Sequence, residues 1–234
     1  MKIRNLFPGS WGSNCYLVED NGEALIIDPS ASASAILRAV REAGCTPVGI
    51  LLTHGHFDHI MSVDTLRQAE PALKVYIHEA DAPMLTDADK NGFSFFFRQD
   101  RVWNAADVLL KAGDEVRVGN ATLAVVHTPG HSPGSSCYYC AEAGVMFTGD
   151  TLFSDNIGRC DLWGGNYGTI RKSLLSLRDY DGKITIYPGH GDEEKLSRAL
   201  DNIMYIYDRT GRRPKPRLRP FCKRVLRIPK TFAI

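Results

Sequence analysis

The sequence predicts a mixed α/β domain in which two strand-rich halves are each followed by helices. Three observations predict it. Short apolar runs bounded by Gly, Ser and Asn turns recur at 2–7, 14–18, 24–28 and 48–52, then near 114–118, 121–127, 135–140 and 145–148. Segments with apolar residues three and four positions apart accompany them, as helices facing a core require. Clusters of histidine, aspartate and glycine stand directly after four of the runs, where strand ends can build a site.

In order along the chain, Asp20-Asn21-Gly22 is a hairpin turn between the second and third strands. Ser30 or Ser32 can cap a helix reaching about Ala43, with Ile36, Leu37 and Val40 on one face and Gly44 as its stop. Strand 48–52 is followed by a helix from Ile60 to Ala69, ended by Pro71, and by a strand at Val75-Tyr76-Ile77. Residues 83–108 have no clean period and carry Phe93, Phe95, Phe96, Phe97 and Trp103, which predicts an ordered loop or short helices that form a substrate wall. After the second set of strands come a helix from Thr169 to Arg178, a strand at Ile184–Tyr187 and a helix from Glu193 to about Tyr207.

A chain of 234 residues can bury an ample core. No stretch approaches the roughly 20 apolar residues of a membrane helix, and the charged start Met1–Leu6 lacks the apolar run of a secretion signal, so a cytoplasmic protein is expected. Six scattered cysteines argue against a disulfide framework. Cys137 and Cys140 resemble a redox or zinc pair, but three positions apart on a strand they face opposite sides. The formal net charge of +1 hides an asymmetry. Ten Lys or Arg and no acidic residue lie between Arg209 and Lys230, which leaves 18 basic against 27 acidic residues, about −9, in residues 1–208. The expected division is a domain over 1–208 and a basic C-terminal tail over 209–234, whose four prolines argue against a compact ending.

The heptad Thr53-His54-Gly55-His56-Phe57-Asp58-His59 carries most of the functional information. Imidazole and carboxylate suit zinc, iron or manganese, and crowding four such groups has a purpose if they share cations. In an extended loop His54 and His56 point the same way, while Asp58 and His59 lie on the following turn and can face a second point. The spacing therefore suggests two adjacent metal positions. His131 in Thr128–Gly134, Asp150 in Thr148–Thr151 and His190 in Pro188–Gly191 complete the candidates, each with a neighbouring glycine.

As an ordered set these motifs resemble the metallo-β-lactamase-fold hydrolases, and within them the glyoxalase II-related (hydroxyacylglutathione hydrolase-like) branch, over residues 2–207. The resemblance implies a four-layer αββα sandwich with its site on one edge. It also implies a ligand set of His54, His56 and His131 for one metal and Asp58, His59 and His190 for the other, with Asp150 bridging. Asp58 and Asp150 are then the catalytic carboxylates, Asp58 as ligand and orienter of the nucleophile. Two divalent ions, zinc first and iron or manganese as alternatives, would acidify water to a pKa of about 7 for attack on an ester or thioester carbonyl. No Gly-x-Ser-x-Gly element offers a serine nucleophile instead.

Arg159, nine positions after Asp150, matches a basic residue that contacts the glutathionyl group in that branch. It is the candidate substrate-binding residue, with a surface pairing to Asp155 or Asp161 as its bland reading. Several departures count against glutathione: one helix stands where glyoxalase II has a helical domain, Asp161 replaces an aromatic residue, and Ile60–Val63 lacks the usual glycines. An alternative is an iron-dependent persulfide dioxygenase, which resembles the same branch but has Gly-Arg-Thr-Asp where this chain has Gly158-Arg159-Cys160-Asp161. The basic tail raises a nuclease or nucleic-acid-binding reading, which the acidic body opposes. The expected partner is a small thioester or ester, with neither membrane nor nucleic acid; His78 and His127 are expected to be structural.

Overall fold

Alternation along the strands sorts apolar side chains to two faces, and the faces explain the layers. The structure is a computed structural model that describes residues 1–6 and 12–208, with side chains through residue 203; the basic segment 209–234 lies outside the described residues. The first sheet contains β1 (Lys2–Asn5), β2 (Tyr16–Asp20), β3 (Glu23–Ile27), β4 (Thr46–Leu51), β5 (Val75–His78) and β6 (Val108–Leu110), in that spatial order. The second contains β7 (Glu115–Val118), β8 (Ala121–His127), β9 (Ser136–Cys140), β10 (Val145–Gly149), β11 (Thr185–Pro188) and β12 (Glu194–Lys195), also in chain order. Strands β3 to β6 run parallel, as do β10 and β11; the other pairs are antiparallel.

Three apolar clusters separate four layers. Leu17, Ile26 and Ile50 on the outer face of the first sheet pack with Ile36 and Val40 of α1 (Ala33–Glu42) and Leu66 of α3 (Val63–Ala69). Val18, Leu25, Ile27, Leu123, Val125 and Phe147 fill the space between the sheets. Met146 and Ile186 pack with Leu174 of α6 (Tyr167–Ser176) and Leu200 of α7 (Leu196–Asp208). This is the αββα sandwich that the resemblance implies. Cys137 joins the outer cluster and Cys140 the inter-sheet one, so the pair faces opposite sides as the strand geometry requires. Both are free thiols. No helix among the described residues is long and apolar enough to cross a membrane.

Element boundaries differ from the sequence expectation where local chemistry intervenes. The helix expected over 60–69 divides into α2 (Phe57–Ile60) and α3, with Ser62 between them donating its hydroxyl to the Ala31 carbonyl. Residues 193–195 are not the start of a helix: Glu194–Lys195 extends the second sheet before α7 begins. Strand β6, unexpected from sequence, begins at the last residue of the segment 83–108, which also holds most of α4 (Ala82–Leu85) and all of α5 (Phe93–Phe97). The aromatic side chains of that segment divide between core and surface. Trp103 is buried with Phe93 and Phe97 packed against the outer core, whereas Phe95 and Phe96 are exposed.

Tyr138 couples the two sheets beside the heptad. It is fully buried between them, and its hydroxyl donates to the Leu52 carbonyl at 2.6 Å. Tyr138→Phe leaves that carbonyl without this buried donor and should cost about 1–3 kcal/mol in chemical unfolding. A loss below about 0.5 kcal/mol would show that this hydroxyl contributes little to holding the sheets.

Candidate metal centre

The heptad leaves β4 in extended form and turns into a short helix. His56 is the last extended residue (φ −71°, ψ 146°), and Phe57 starts α2, so Asp58 and His59 are carried on its first turn. Buried His131, Asp150 and the less buried His190 arrive from the loops after β8, β10 and β11. The fold thus brings all seven predicted candidates to one edge of the sandwich.

Their side chains form two groups. In the first, ligand atoms of His54, His56 and His131 lie within 4.8 Å of one another, and His56 Nδ1 faces His131 Nε2 at 2.8 Å. In the second, Asp58, His59 and His190 satisfy the same spacing, with His59 Nε2 3.3 Å from His190 Nε2 and Asp58 Oδ2 3.3 Å from His190 Nε2. Asp150 stands between them. Its Oδ1 is 3.4 Å from His59 Nε2, and its Oδ2 is 3.6 Å from His131 Nε2 and 3.5 Å from His190 Nε2. Gly189 permits this placement, because a Cβ there would fall 2.2 Å from Asp150 Oδ1.

Hydrogen bonds on the outer side of the rings set the direction of the inner nitrogens. His131 Nδ1 donates to the Arg159 carbonyl (2.7 Å), His190 Nδ1 to the Gly12 carbonyl (3.0 Å), and His59 Nδ1 to Asp28 Oδ2 (3.0 Å). Those contacts turn each Nε2 inward, where the neutral ring presents the lone pair that a metal ligand needs. The Nε2 of His54 and Oδ1 of Asp150 are buried without a hydrogen-bond partner among the described residues. Unpaired buried polar atoms are costly, and inward lone pairs in two groups are the donor set that divalent cations complete. The residues present therefore fit two metal ions.

Asp28, His54 and His59 form a third close group. Asp28 is already engaged by the backbone and hydroxyl of Thr53, at 2.8 and 2.6 Å, as well as by His59. Its position suits an orienter of the heptad. Sequence reasoning missed this residue; its only signal is a carboxylate at the end of the strand expected over 24–28. Asp81 was missed too. It is fully buried and accepts from Gly55 N–H, Ser132 Oγ and Gly134 N–H, tying the heptad to the His131 turn. Asn14 similarly holds the His190 loop through the carbonyls of Pro188 and Gly191, both at 2.8 Å.

Burial divides the protonation states of the metal-free centre. It pushes His54 well down, His56 to about 3 and His131 to about 4, so these rings are neutral at pH 7. Burial also opposes charge on His59, but Asp58, Asp150 and Asp28 outweigh it and raise His59 to about 10. His190 is raised by Asp150 and Asp58 against the same burial penalty. Against its own burial, Asp58 is lowered by His59 and His190.

Arg159 is at the edge of this centre. Its guanidinium makes a two-pronged contact with Asp161 (2.6 and 2.9 Å) and lies over the rings of Phe95 and Phe96. Burial raises the Cys160 thiol to about 12, which leaves it un-ionised at neutral pH. His78 and His127 stack on each other, with centroids 4.0 Å apart, and His127 Nε2 contacts the Pro133 carbonyl. They join neither ligand group.

Asp28→Asn preserves the shape of the side chain but weakens its charge-assisted hold on His59. It should lower metal affinity by about 10–100-fold in chelator competition. Unchanged affinity would show that His59 needs no such orientation.

Residues 8–190 match the metallo-β-lactamase superfamily model. The chain is 37% identical over 210 residues to the probable metallo-hydrolase YqgX of Bacillus subtilis, covering 88% of this chain and 98% of the relative. It is 32% identical to the hydroxyacylglutathione hydrolase GloC of Haemophilus influenzae, covering 86% and 99% respectively. Among solved structures, the B3 metallo-β-lactamase BLEG-1 superposes with a TM-score of 0.80 at 34% identity, covering 86% of this chain and 97% of its own. TTHA1623, solved in a di-iron-bound form, gives 0.72 at 32% identity, with coverages of 85% and 96%. With its fold, its ordered motifs and these relatives in agreement, the chain belongs to the metallo-β-lactamase superfamily.

Proposed function

We propose that this metallo-hydrolase is binuclear and cleaves small acyl thioesters or esters, with glutathione or another low-molecular-weight thiol as one leaving group. The observation that carries the two-metal reading is the placement of Asp150, whose two oxygens face both histidine groups. The GloC relative supports the thioester class. His54, His56 and His131 would hold one ion, Asp58, His59 and His190 the other, and Asp150 both. Zinc is the first expectation; the same donors accept iron or manganese.

When bound, the ions would supply Lewis acidity for a carbonyl oxygen and bring the ionisation of water near pH 7. The protein's own residues do the rest. Asp28 and the Arg159 and Gly12 carbonyls fix ring orientation. Asp58, adjacent to both His59 and His190, is placed to accept a hydrogen bond from the attacking water and orient it. Arg159 borders the substrate side, but a substrate carboxylate would have to displace Asp161 to use its fork. A single-iron persulfide dioxygenase would use only the His54/His56/His131 group and leave Asp58, His59 and His190 without a role. A small-molecule substrate in a cytoplasmic setting completes the reading, with no membrane or nucleic-acid partner invoked.

Protein purified without added metal should hydrolyse small thioesters, with a rate that rises with pH through about 7. Asp150→Ala should lose about one metal ion per chain and nearly all turnover, because a bridging ligand serves both positions. Unchanged stoichiometry and rate in that variant would refute the bridge, and oxygen consumption with a persulfide by a one-iron protein would replace the hydrolase. Acidification should empty the two positions in order. Raised His59 and His190 retain protons that a cation must displace, whereas lowered His54, His56 and His131 stay neutral. Metal content measured from pH 7.5 to 5.5, a range of about two units around the ordinary histidine value, should fall first at the Asp58/His59/His190 position. Simultaneous loss from both would contradict that difference.

A further inference from the structure

Seven large apolar side chains are exposed among the described residues, and two of them, Phe95 and Trp163, share one cleft. The cleft is open, has a volume of about 460 Å³, and is lined by Asp89, Ser94, Phe95, Asp161, Leu162 and Trp163. A volume in this range accommodates a small organic group. The cleft lies beside the metal centre, and Leu162 is a lining residue on that side. A Cβ built on Gly92 would be 3.9 Å from both His56 Cδ2 and Leu162 Cδ1, so a lining residue of the cleft and a ring of the first ligand group flank the same glycine. Asp161, also in the lining, pairs with Arg159, whose carbonyl accepts from His131 Nδ1.

The charges around the cleft are engaged with one another. Arg159 pairs with Asp161, and Lys90 pairs with Asp87 at 2.9 Å while lying 5.4 Å from the Trp163 ring centre. Ser94 donates its hydroxyl to Asp89. An anionic ligand group would meet two lining carboxylates, Asp89 and Asp161, and both neighbouring cations already have partners. What the cleft offers freely is aromatic and aliphatic surface.

We infer that this cleft is an acyl subsite that selects an uncharged aryl or bulky aliphatic group next to the scissile carbonyl, with Phe95 and Trp163 as its specificity-determining side chains. Arg159 acts as its clamp: through Asp161 and the Phe95 and Phe96 rings it joins the loop after Gly158 to α5. The assignment rests on the thioester or ester reading for the position of the carbonyl, and it narrows that reading by favouring apolar acyl groups over small polar ones.

The test compares acetyl and phenylacetyl thioesters of one thiol, N-acetylcysteamine, using the full-length metal-loaded protein. The native protein should favour phenylacetyl in kcat/KM by at least about tenfold, and the Phe95→Ala/Trp163→Ala double variant should reduce that ratio at least about fivefold. Both positions are exposed, so folding is not at stake. Calorimetry with 4-phenylbutan-2-one, a ketone no hydrolase cleaves, reads the cleft independently of turnover. Saturable binding that weakens at least about fivefold in the double variant supports the subsite. If neither thioester is cleaved but the ketone binds in this way, the hydrolytic reading fails and the apolar cleft stands. Equal ketone affinity in both proteins, or an unchanged acyl ratio in an active variant, overturns the subsite. So does S-methylglutathione binding that is tighter than the ketone's and lost in the same variant.

Discussion

Five imidazoles and two carboxylates converge at one edge of the sandwich, six of the seven buried, and the rest of the structure is organised around making that convergence tolerable. Burial of unpaired polar groups opposes folding, and burial of like charges opposes it more. The protein resolves the problem in two ways. On the His54/His56/His131 side the rings are held neutral; on the Asp58/His59/His190 side carboxylates stabilise the imidazolium form. What remains are His54 Nε2 and Asp150 Oδ1, buried without a hydrogen bond among the described residues, which divalent cations would satisfy.

The two-sheet architecture supplies the geometry. Strands β4, β8, β10 and β11 each end at this edge, and each delivers its ligands through a short turn. Hydrogen bonds from elsewhere in the fold fix those turns: Asp28 holds Thr53 and His59, Asp81 joins the heptad to the His131 turn, and Asn14 holds the chain beside His190. These contacts cross between distant sequence segments. A perturbation of the sheet pairing should therefore reach the centre through ring orientation even where no ligand is changed.

This division explains what could be read from the amino acids. The ligand residues were legible because His54-Gly55-His56 and Asp58-His59 concentrate metal-binding chemistry immediately after an apolar run, and because three further His or Asp residues follow later strands. The αββα layering was legible through the family resemblance of those motifs. Asp28 and Asp81 were not, since a single carboxylate in a strand end or helix start carries no local pattern; only the parallel pairing of β3 with β4 brings Asp28 beside Thr53. Trp103 and Phe95 could not be separated by periodicity in an irregular segment, yet one is core and the other borders the cleft. Glu194–Lys195 has helical neighbours but pairs with β11, where tertiary context outweighs propensity.

On the proposed reading, the two ligand groups act as a pair of adjacent cation sites joined by Asp150. Anomalous X-ray diffraction from crystals of metal-loaded protein, recorded at the absorption edge of the bound element, tests it most directly. Two peaks about 3.5–4 Å apart, one among His54, His56 and His131 and the other among Asp58, His59 and His190, are the predicted result. A single peak confined to the three histidines, in crystals whose dissolved protein is fully active, would contradict the account.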